Sequence, residues 1–334
     1  IAINSVNVFT TDGFFTLNPL ANALGAFPKK WMTDENGQVY YGSTSPQMKQ
    51  TVQTVLDWYN RGIFGKDCFT QTWEETASLV NTGRAGMWFF GWSWPLEGEF
   101  IKNNPRAEVI AVNAPLDSNG KFSYAGNAPA TNWLCVRKGY EHPEVVFKIQ
   151  RIYEDIVSNG KFPEKLAELQ TLWDSGIFWY VLSPLAGYSI VADDTIPKGA
   201  QELGAYLKDG TLPEGGVAGS NKQIYDRCEA WLKQGTSAPD YHLNWGYYMG
   251  RYVGSLASGT ELCNPIRPAY FYKTEGMLEY GNVLDIMEYN MIAQILTGVD
   301  DIAYFDTFVQ DWKETGGDTI KAEVQAIVNE RSGK

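Results

Sequence analysis

The stretch Thr82–Pro95 (TGRAGMWFFGWSWP) constrains the fold of this chain more than any other. Ala85–Phe90 is apolar at nearly every position, which is typical of a strand that an α/β protein covers on both faces. The glycine after it interrupts a strand and the final proline cannot continue a ladder, so Trp92 and Trp94 lie in the loop that follows. Ligands of open α/β sheets bind beyond the carboxyl ends of the strands. Both rings are therefore candidates for ligand contact, and core packing is the alternative.

Length and charge exclude two classes of protein. A chain of 334 residues is long enough for two lobes, each with its own core. No uncharged apolar run approaches the length that spans a bilayer. The formal net charge is −12 and no basic stripe is present, which argues against a nucleic-acid partner.

Aromatic residues make up 14% of the chain, which favours a sugar as the ligand. An aromatic ring offers an apolar face, and tryptophan and tyrosine add a polar group at the edge. A sugar ring has a matching apolar C–H face and a hydroxylated rim. Stacking one sugar face on one ring contributes about 1–2 kcal/mol.

The cysteines and histidines predict no metal site or cofactor. Cys68, Cys135, Cys228 and Cys263 are far apart and form no C-x-x-C pair. With only two histidines in the chain, zinc-ligand spacing is absent. Free or sparsely paired thiols are the expectation.

Three local signals predict elements in the first part of the chain. Ser45-Pro46 combines an N-cap with a proline at the first helical position and begins a helix that ends near Gly62. Asn36-Gly37 predicts a hairpin turn. Thr72 and Glu75 form a capping box that opens a short helix.

Further along, Glu108–Asn113 and Lys121–Tyr124 are predicted as strands on either side of a turn, and Trp133–Val136 as another strand. The rest of the chain is mostly helical. The helices predicted there include Pro163–Asp174, Pro197–Lys208, Asn221–Gln234 and part of Asp240–Ala257, with three more after Thr274.

Three motifs in the same order resemble the family-1 extracellular solute-binding proteins, the sugar-capturing components of ABC importers. Gly83–Met87 followed by Gly91-Trp92 is similar to a strand of that family and the tryptophan after it. Asn113–Pro115 and the turn, crossing and helix that follow it keep the family's order. The third motif, Ile295–Gly298 with Gly316–Val324, resembles the ending of the long Gram-positive lipoprotein branch.

This resemblance implies a type II periplasmic-binding-protein-like α/β fold, with two lobes joined by a hinge and the first lobe incomplete in this chain. Residues 1–126 and 274–334 would form the C-terminal lobe, 127–132 the hinge crossing and 133–273 the remaining part of the N-terminal lobe. Binding would favour a closed form in which both lobes contact the ligand.

The resemblance also implies the protein's partners and location. It predicts an extracellular protein, anchored to the cell surface by a lipid outside this chain or periplasmic, that acts as a monomer with ABC permease subunits. No cofactor is expected, and a calcium site of the family's kind would lie upstream. The predicted ligand is a neutral oligosaccharide.

The predicted ligand contacts differ in their support. The family motif carries Trp92, and Trp94 shares its loop. Asn127 would hold sugar hydroxyls with its amide at the inferred hinge, or bond only backbone. Position near the inferred crossings adds Trp133, Trp245 and Phe271, residue types that more often pack in a core. Trp231 and Trp312 lie on amphipathic helix faces and are assigned to packing.

Two other classes of function remain open. Gly91–Pro95 superficially resembles the G-x-S-x-G elbow of serine hydrolases, but a proline stands where the turn needs a small residue. A glycoside hydrolase needs two carboxylates across a sugar site, and no motif points to such a pair. Besides these enzymes, the other class is a peptide-binding or purely structural surface protein.

Overall fold

The computed structural model describes residues 3–5, 8–9, 14–128, 133, 135–157, 159–174, 194–259 and 261–333. The chain divides into two units: the first comprises Ile1–Gly91, Val112–Pro129 and Thr260–Lys334, and the second comprises Trp92–Ala111 and Ala130–Gly259. The predicted lobe boundaries differ, since 92–111 lies in the second unit and 261–273 in the first. Which unit corresponds to which lobe of the family stays a prediction. Most of the predicted hinge crossing, 129–132, lies outside the described residues.

The described strands are short and all lie in the first unit. They are β1 Ile3–Asn4, β2 Trp31–Thr33, β3 Val39–Tyr41, β4 Met87–Trp88, β5 Phe122–Ala125 and β6 Cys263–Ile266. β1 pairs with β4 in parallel, β2 with β3 antiparallel, and β5 with β6 in parallel.

Helices supply most of the described structure, so the chain is a helix-rich α/β protein, as predicted. The helices of the first unit are α1 Asn18–Ala23, α2 Pro46–Asn60 and α3 Trp73–Asn81, followed at the end of the chain by α11 Glu275–Thr297, α12 Tyr304–Trp312 and α13 Asp318–Arg331. Those of the second unit are α4 Glu99–Asn103, α5 Val145–Val157, α6 Pro163–Asp174, α7 Thr195–Asp209, α8 Gly219–Gln234, α9 Tyr241–Tyr247 and α10 Ser255–Ser258. A π-helical segment, Tyr248–Gly254, joins α9 to α10.

The local capping and turn predictions are confirmed. The Met48 N–H donates to the Ser45 hydroxyl at 3.2 Å at the start of α2. Both bonds of the capping box between Thr72 and Glu75 are present at the start of α3. Gly37 lies at φ +77° in the turn between β2 and β3, a conformation that glycine adopts without steric cost.

The core of the first unit lies where α2, α11, α12 and α13 pack together. Its fully buried side chains include Met48, Val52, Met291, Ile295, Phe305 and Phe308. Trp312 is buried there too and stacks on Tyr41 of β3 at 4.8 Å between ring centroids. The assignment of Trp312 to packing is therefore confirmed.

A smaller core holds the helices of the second unit together. Leu203 of α7 and Tyr225 and Cys228 of α8 are buried, and the π-helical segment adds Tyr248 and Tyr252 at their edge. The predicted helices of this region are confirmed within about two residues at their ends.

Three strand predictions are wrong. The strand predicted at Ala85–Phe90 with both faces covered is only the two residues of β4, and Met87 is 44% exposed. Glu108–Asn113 forms no strand, and the described residues of Trp133–Val136 form none either. β5 pairs with the distant β6 instead of returning on the preceding segment.

The physical reason is that a strand needs a hydrogen-bonded neighbour, which its own sequence does not specify. Ile110 is 82% exposed and Val112 is 72% exposed. These residues alternate as strand residues do, but no described residue pairs with their backbone.

Candidate ligand-binding site

The loop that carries Trp92 and Trp94 turns sharply after β4. A turn at Trp92-Ser93 leads into a short 3-10 helix, Trp94–Glu97, with Pro95 near its start. Gly98 then adopts φ +69° against the backbone of His242, where a side chain would clash. The loop is therefore shaped at its start by a local turn and at its end by a close contact with a residue that is distant in sequence.

Two glycines let the next helical layer approach the backbone of this loop. A Cβ on Gly246 would collide with the carbonyl oxygen of Pro95, and one on Gly250 would lie 2.7 Å from the carbonyl oxygen of Trp92. The two glycines are four residues apart and so lie on one helical face. The close contact of α9 and the π-helical segment with the loop is thus possible because glycine has no side chain at these two positions.

Trp92 is half-buried and covered on one side by a cation. The guanidinium carbon of Arg251 lies 4.3 Å from the centroid of the Trp92 ring. Arg251 belongs to the π-helical segment, whose widened turn is stabilised by a bond of 2.8 Å from the Ser255 hydroxyl to the Gly250 carbonyl. Stacking of this kind holds both planar groups in place.

Trp94 lies in an aromatic cluster with Phe100 and Trp245. Its ring meets Phe100 edge-on at 5.6 Å and Trp245 edge-on at 6.3 Å, while Phe100 and Trp245 stack at 5.9 Å. Trp245 is only 4% exposed. The ring of Trp245 therefore serves packing in this structure and offers almost no surface to a ligand, whereas Trp94 is half-buried.

The other predicted contacts lie elsewhere. Trp133 belongs to the second unit and is 63% exposed. Asn127 and Phe271 belong to the first unit, the former exposed after β5 and the latter half-buried in the segment before α11. The second unit thus contains Trp92, Trp94, Trp133 and Trp245, of which Trp94 and Trp245 are in contact, and the ligand roles of all six residues stay predictions.

Sequence reasoning missed two arginines beside these rings. Arg251 stacks on Trp92, and the guanidinium carbon of Arg227 lies 5.3 Å from the ring centroid of Tyr247. Burial lowers the pKa of Arg251, and the neighbouring Tyr247 and Cys228 oppose that shift. Tyr247 and Arg251 are four residues apart, so a helical reading of the 241–258 region could have placed them together.

Other kinds of site find no support among the described residues. These residues contain no group of three histidine, cysteine or acidic side chains that could hold a metal ion. The part of the chain that the structure describes shows no hydrogen bond between Ser93 and a histidine, as a serine hydrolase would need. No helix among the same residues combines the length and the apolarity required to cross a membrane.

Comparison with known proteins gives one family. Residues 9–149 match the family described as bacterial extracellular solute-binding protein. This match spans β2 to β5 and includes Trp92 and Trp94. No curated protein matches the chain.

Two solved structures are similar to the chain. One is a candidate oligosaccharide periplasmic-binding protein from Synechococcus sp. MITs9220, with a TM-score of 0.47 and 13% identity over 96% of this chain. The other is the same protein in complex with zinc, with a TM-score of 0.43 and 10% identity over 97% of this chain. This chain spans 62% and 61% of the two neighbours' lengths.

The family match includes the strand-and-tryptophan motif that first indicated the resemblance. It agrees with the predicted periplasmic-binding-protein-like class, as does the division of the chain into two units. The resemblance is therefore confirmed for residues 9–149, which match the family of bacterial extracellular solute-binding proteins.

Proposed function

We propose that this protein captures an oligosaccharide outside the cell and delivers it to an ABC importer without changing it chemically. The observation that carries the proposal is the position of Trp92, which follows a strand motif that resembles the family's and lies within the residues that match the family. The half-buried ring is held by Arg251 on one side, so its orientation is fixed before a ligand arrives.

A fixed indole suits a sugar for a physical reason. A free side chain loses rotamer entropy when a ligand orders it, and a side chain that is already held loses less. The sugar then gains about 1–2 kcal/mol from the apolar area that it covers on the ring. Trp94, in the same loop and half-buried, is the second ring that we assign to the ligand.

The proposal extends to location and partners through the family. The protein acts outside the cytoplasm, held to the membrane by a lipid or free in the periplasm, as a monomer that docks on permease subunits. It uses no cofactor. An oligosaccharide is proposed rather than a monosaccharide because two neighbouring rings offer more stacking surface than one sugar covers.

A glycan array probed with the 334-residue protein tests this function. We expect hits among oligosaccharides, and we expect a bound sugar to be recovered intact after long incubation. Products shorter than the added sugar would show a glycoside hydrolase instead. An array without any hit would contradict sugar capture and favour a peptide ligand, which a peptide array would then identify.

A further inference from the structure

The basic side chains of the second unit fall into two groups by burial. Most of its described lysines and arginines are exposed, and most of these pair with a carboxylate nearby, as Lys222 does with Asp226 and Lys233 with Glu229. Arg227 and Arg251 are the two described basic residues of this unit that are half-buried. Neither has a carboxylate within salt-bridge distance among the described residues.

Both guanidinium groups also have unused donors. The Nε atoms of Arg227 and Arg251 are buried and have no hydrogen-bond partner among the described residues. One terminal nitrogen of Arg227 donates weakly to the side-chain oxygen of Asn244 at 3.4 Å. Each guanidinium group lies over an aromatic ring and not beside an anion. Arg227 lies over Tyr247, and Arg251 lies over Trp92.

This arrangement is unusual for a chain of net charge −12, in which acidic partners are abundant. In the first unit, the half-buried Lys29 has two carboxylates within reach, Asp285 at 2.7 Å and Glu288 at 3.5 Å. A half-buried cation has lost part of its hydration, and without a neighbouring anion no ion pair offsets this cost. Such a group is ready to pair with an anion that comes from outside the protein.

The chemistry of the two groups indicates which anion fits. A guanidinium presents a planar set of N–H donors that matches a carboxylate with two parallel bonds. When the flat face stacks on an indole and the Nε atom is buried, the two terminal nitrogens are the donors that remain for a ligand. In an oligosaccharide, one sugar stacks on the open face of Trp92, and the carboxylate of the next sugar extends past the edge of the ring towards these nitrogens.

We propose that Arg251, assisted by Arg227, forms a carboxylate subsite beside Trp92, so that the captured ligand is an acidic oligosaccharide that contains uronic acid residues. This inference rests on the proposed function and replaces the neutral ligand that the sequence predicted. Arg251 is the direct partner of the carboxylate. Arg227, which contacts the same Tyr247, adds positive potential and a second donor group.

The test compares uronic acid oligomers with their own methyl esters. Esterification removes the charge and leaves the stacking face of the sugar unchanged. Trimers of galacturonate, glucuronate and mannuronate, each in acid and ester form, are titrated into the protein by calorimetry. We expect at least one acid trimer to bind roughly 10- to 100-fold more tightly than its ester.

Two substitutions decide which residue causes this preference. Arg251→Gln is expected to remove the preference, so that the acid and the ester of one trimer bind with equal affinity, whatever the loss of ring support does to both. Lys233→Gln removes the same charge from an exposed, paired position in the same unit and is expected to keep the preference. Arg227→Gln is expected to reduce the preference partly. Arg251→Lys, which keeps the charge without the planar donors, is expected to retain a weaker preference.

Three results would overturn the subsite. They are equal binding of acid and ester by the unsubstituted protein, an unchanged preference in Arg251→Gln, and the absence of binding to all three acids. The comparison of acid with ester in the unsubstituted protein does not depend on how any variant folds. Hits on neutral sugars alone would sustain oligosaccharide capture and reject the carboxylate subsite, so the two proposals fail separately.

Discussion

The carboxylate of Glu288 is buried in the first unit, 1% exposed, with one oxygen 3.5 Å from the ammonium of Lys29. This pair joins α11 to the segment that precedes the β2–β3 hairpin. The Tyr41 hydroxyl also donates to Glu288, at 3.4 Å, but the other carboxylate oxygen has no hydrogen-bond partner among the described residues. The charge on Glu288 is therefore only partly compensated.

Removal of the Lys29 ammonium is expected to destabilise the first unit. Lys29→Met leaves Glu288 without its cation, and breaking a buried pair in this way costs about 3–5 kcal/mol. Lys49→Met is the matched control, because the Lys49–Asp306 pair is more exposed and contributes at most about 1 kcal/mol. Denaturant unfolding followed by circular dichroism measures both, and equal losses would contradict the special role of the buried pair.

The environment of Glu288 also leads to a prediction of how the stability of the protein depends on pH. Burial raises the pKa of Glu288, against the opposing effect of Lys29. In the unfolded chain, Glu288 loses its proton near the ordinary carboxyl pKa of about 4.3. In the folded chain it keeps the proton up to a higher pH, because its pKa is raised. The contribution of Glu288 to the unfolding free energy therefore falls as the pH rises through the interval between these two pKa values.

Glu288→Gln isolates this effect, because glutamine imitates the protonated carboxyl and does not titrate. The unsubstituted protein is expected to lose stability relative to Glu288→Gln as the pH rises from about 4. Unfolding free energies of the two proteins, measured at several pH values, give the difference. If the difference in unfolding free energy stays constant with pH, or if the unsubstituted protein gains stability relative to Glu288→Gln as the pH rises, Glu288 does not have a raised pKa.

Trp92→Ala is expected to weaken binding of the oligosaccharide by about 1–3 kcal/mol, because it removes the apolar face on which the sugar stacks. Trp73→Ala removes a half-exposed tryptophan from the first unit and serves as the control with unchanged affinity. Calorimetry with a sugar found on the array measures both. An unchanged affinity in Trp92→Ala would remove the ring from the site.

Substitution of Trp245 is expected to affect stability and not ligand affinity. Because it is buried against Phe100 and Trp94, Trp245→Ala is expected to lower the free energy of unfolding by about 3–5 kcal/mol. Trp245→Phe keeps most of the packing and is expected to bind the sugar as the unsubstituted protein does. A large loss of affinity without a loss of stability in Trp245→Phe would restore the ligand role that its position in the sequence suggested.

The four cysteines are free and should differ in reactivity. Burial raises the pKa of Cys68 and of Cys228 to about 12, so neither forms the thiolate that reacts at neutral pH. Cys135 is exposed and is expected to react first with a thiol reagent. Titration of the native protein, repeated in denaturant, measures the two classes, and rapid native modification of Cys228 would contradict its burial.

The elements that could be predicted from sequence are those whose interactions lie within a few residues. The N-cap at Ser45, the capping box at Thr72 and the turn at Gly37 each connect neighbours along the chain. The extent of β4 and the absence of a strand at 108–113 depend on distant partners, which no local pattern encodes. The motif located Trp92, but the contact of Arg251 with its ring joins residues far apart in sequence and leaves no periodic signal.

The exposed pair Ile110 and Val112 also affects how the protein can be handled. Their backbone is unpaired among the described residues, and exposed β-branched side chains on an unpaired segment favour pairing with a like segment of another molecule. Aggregation would therefore begin at this segment as concentrated samples age. Substitution of both residues by lysine is expected to slow aggregation of the purified protein during storage.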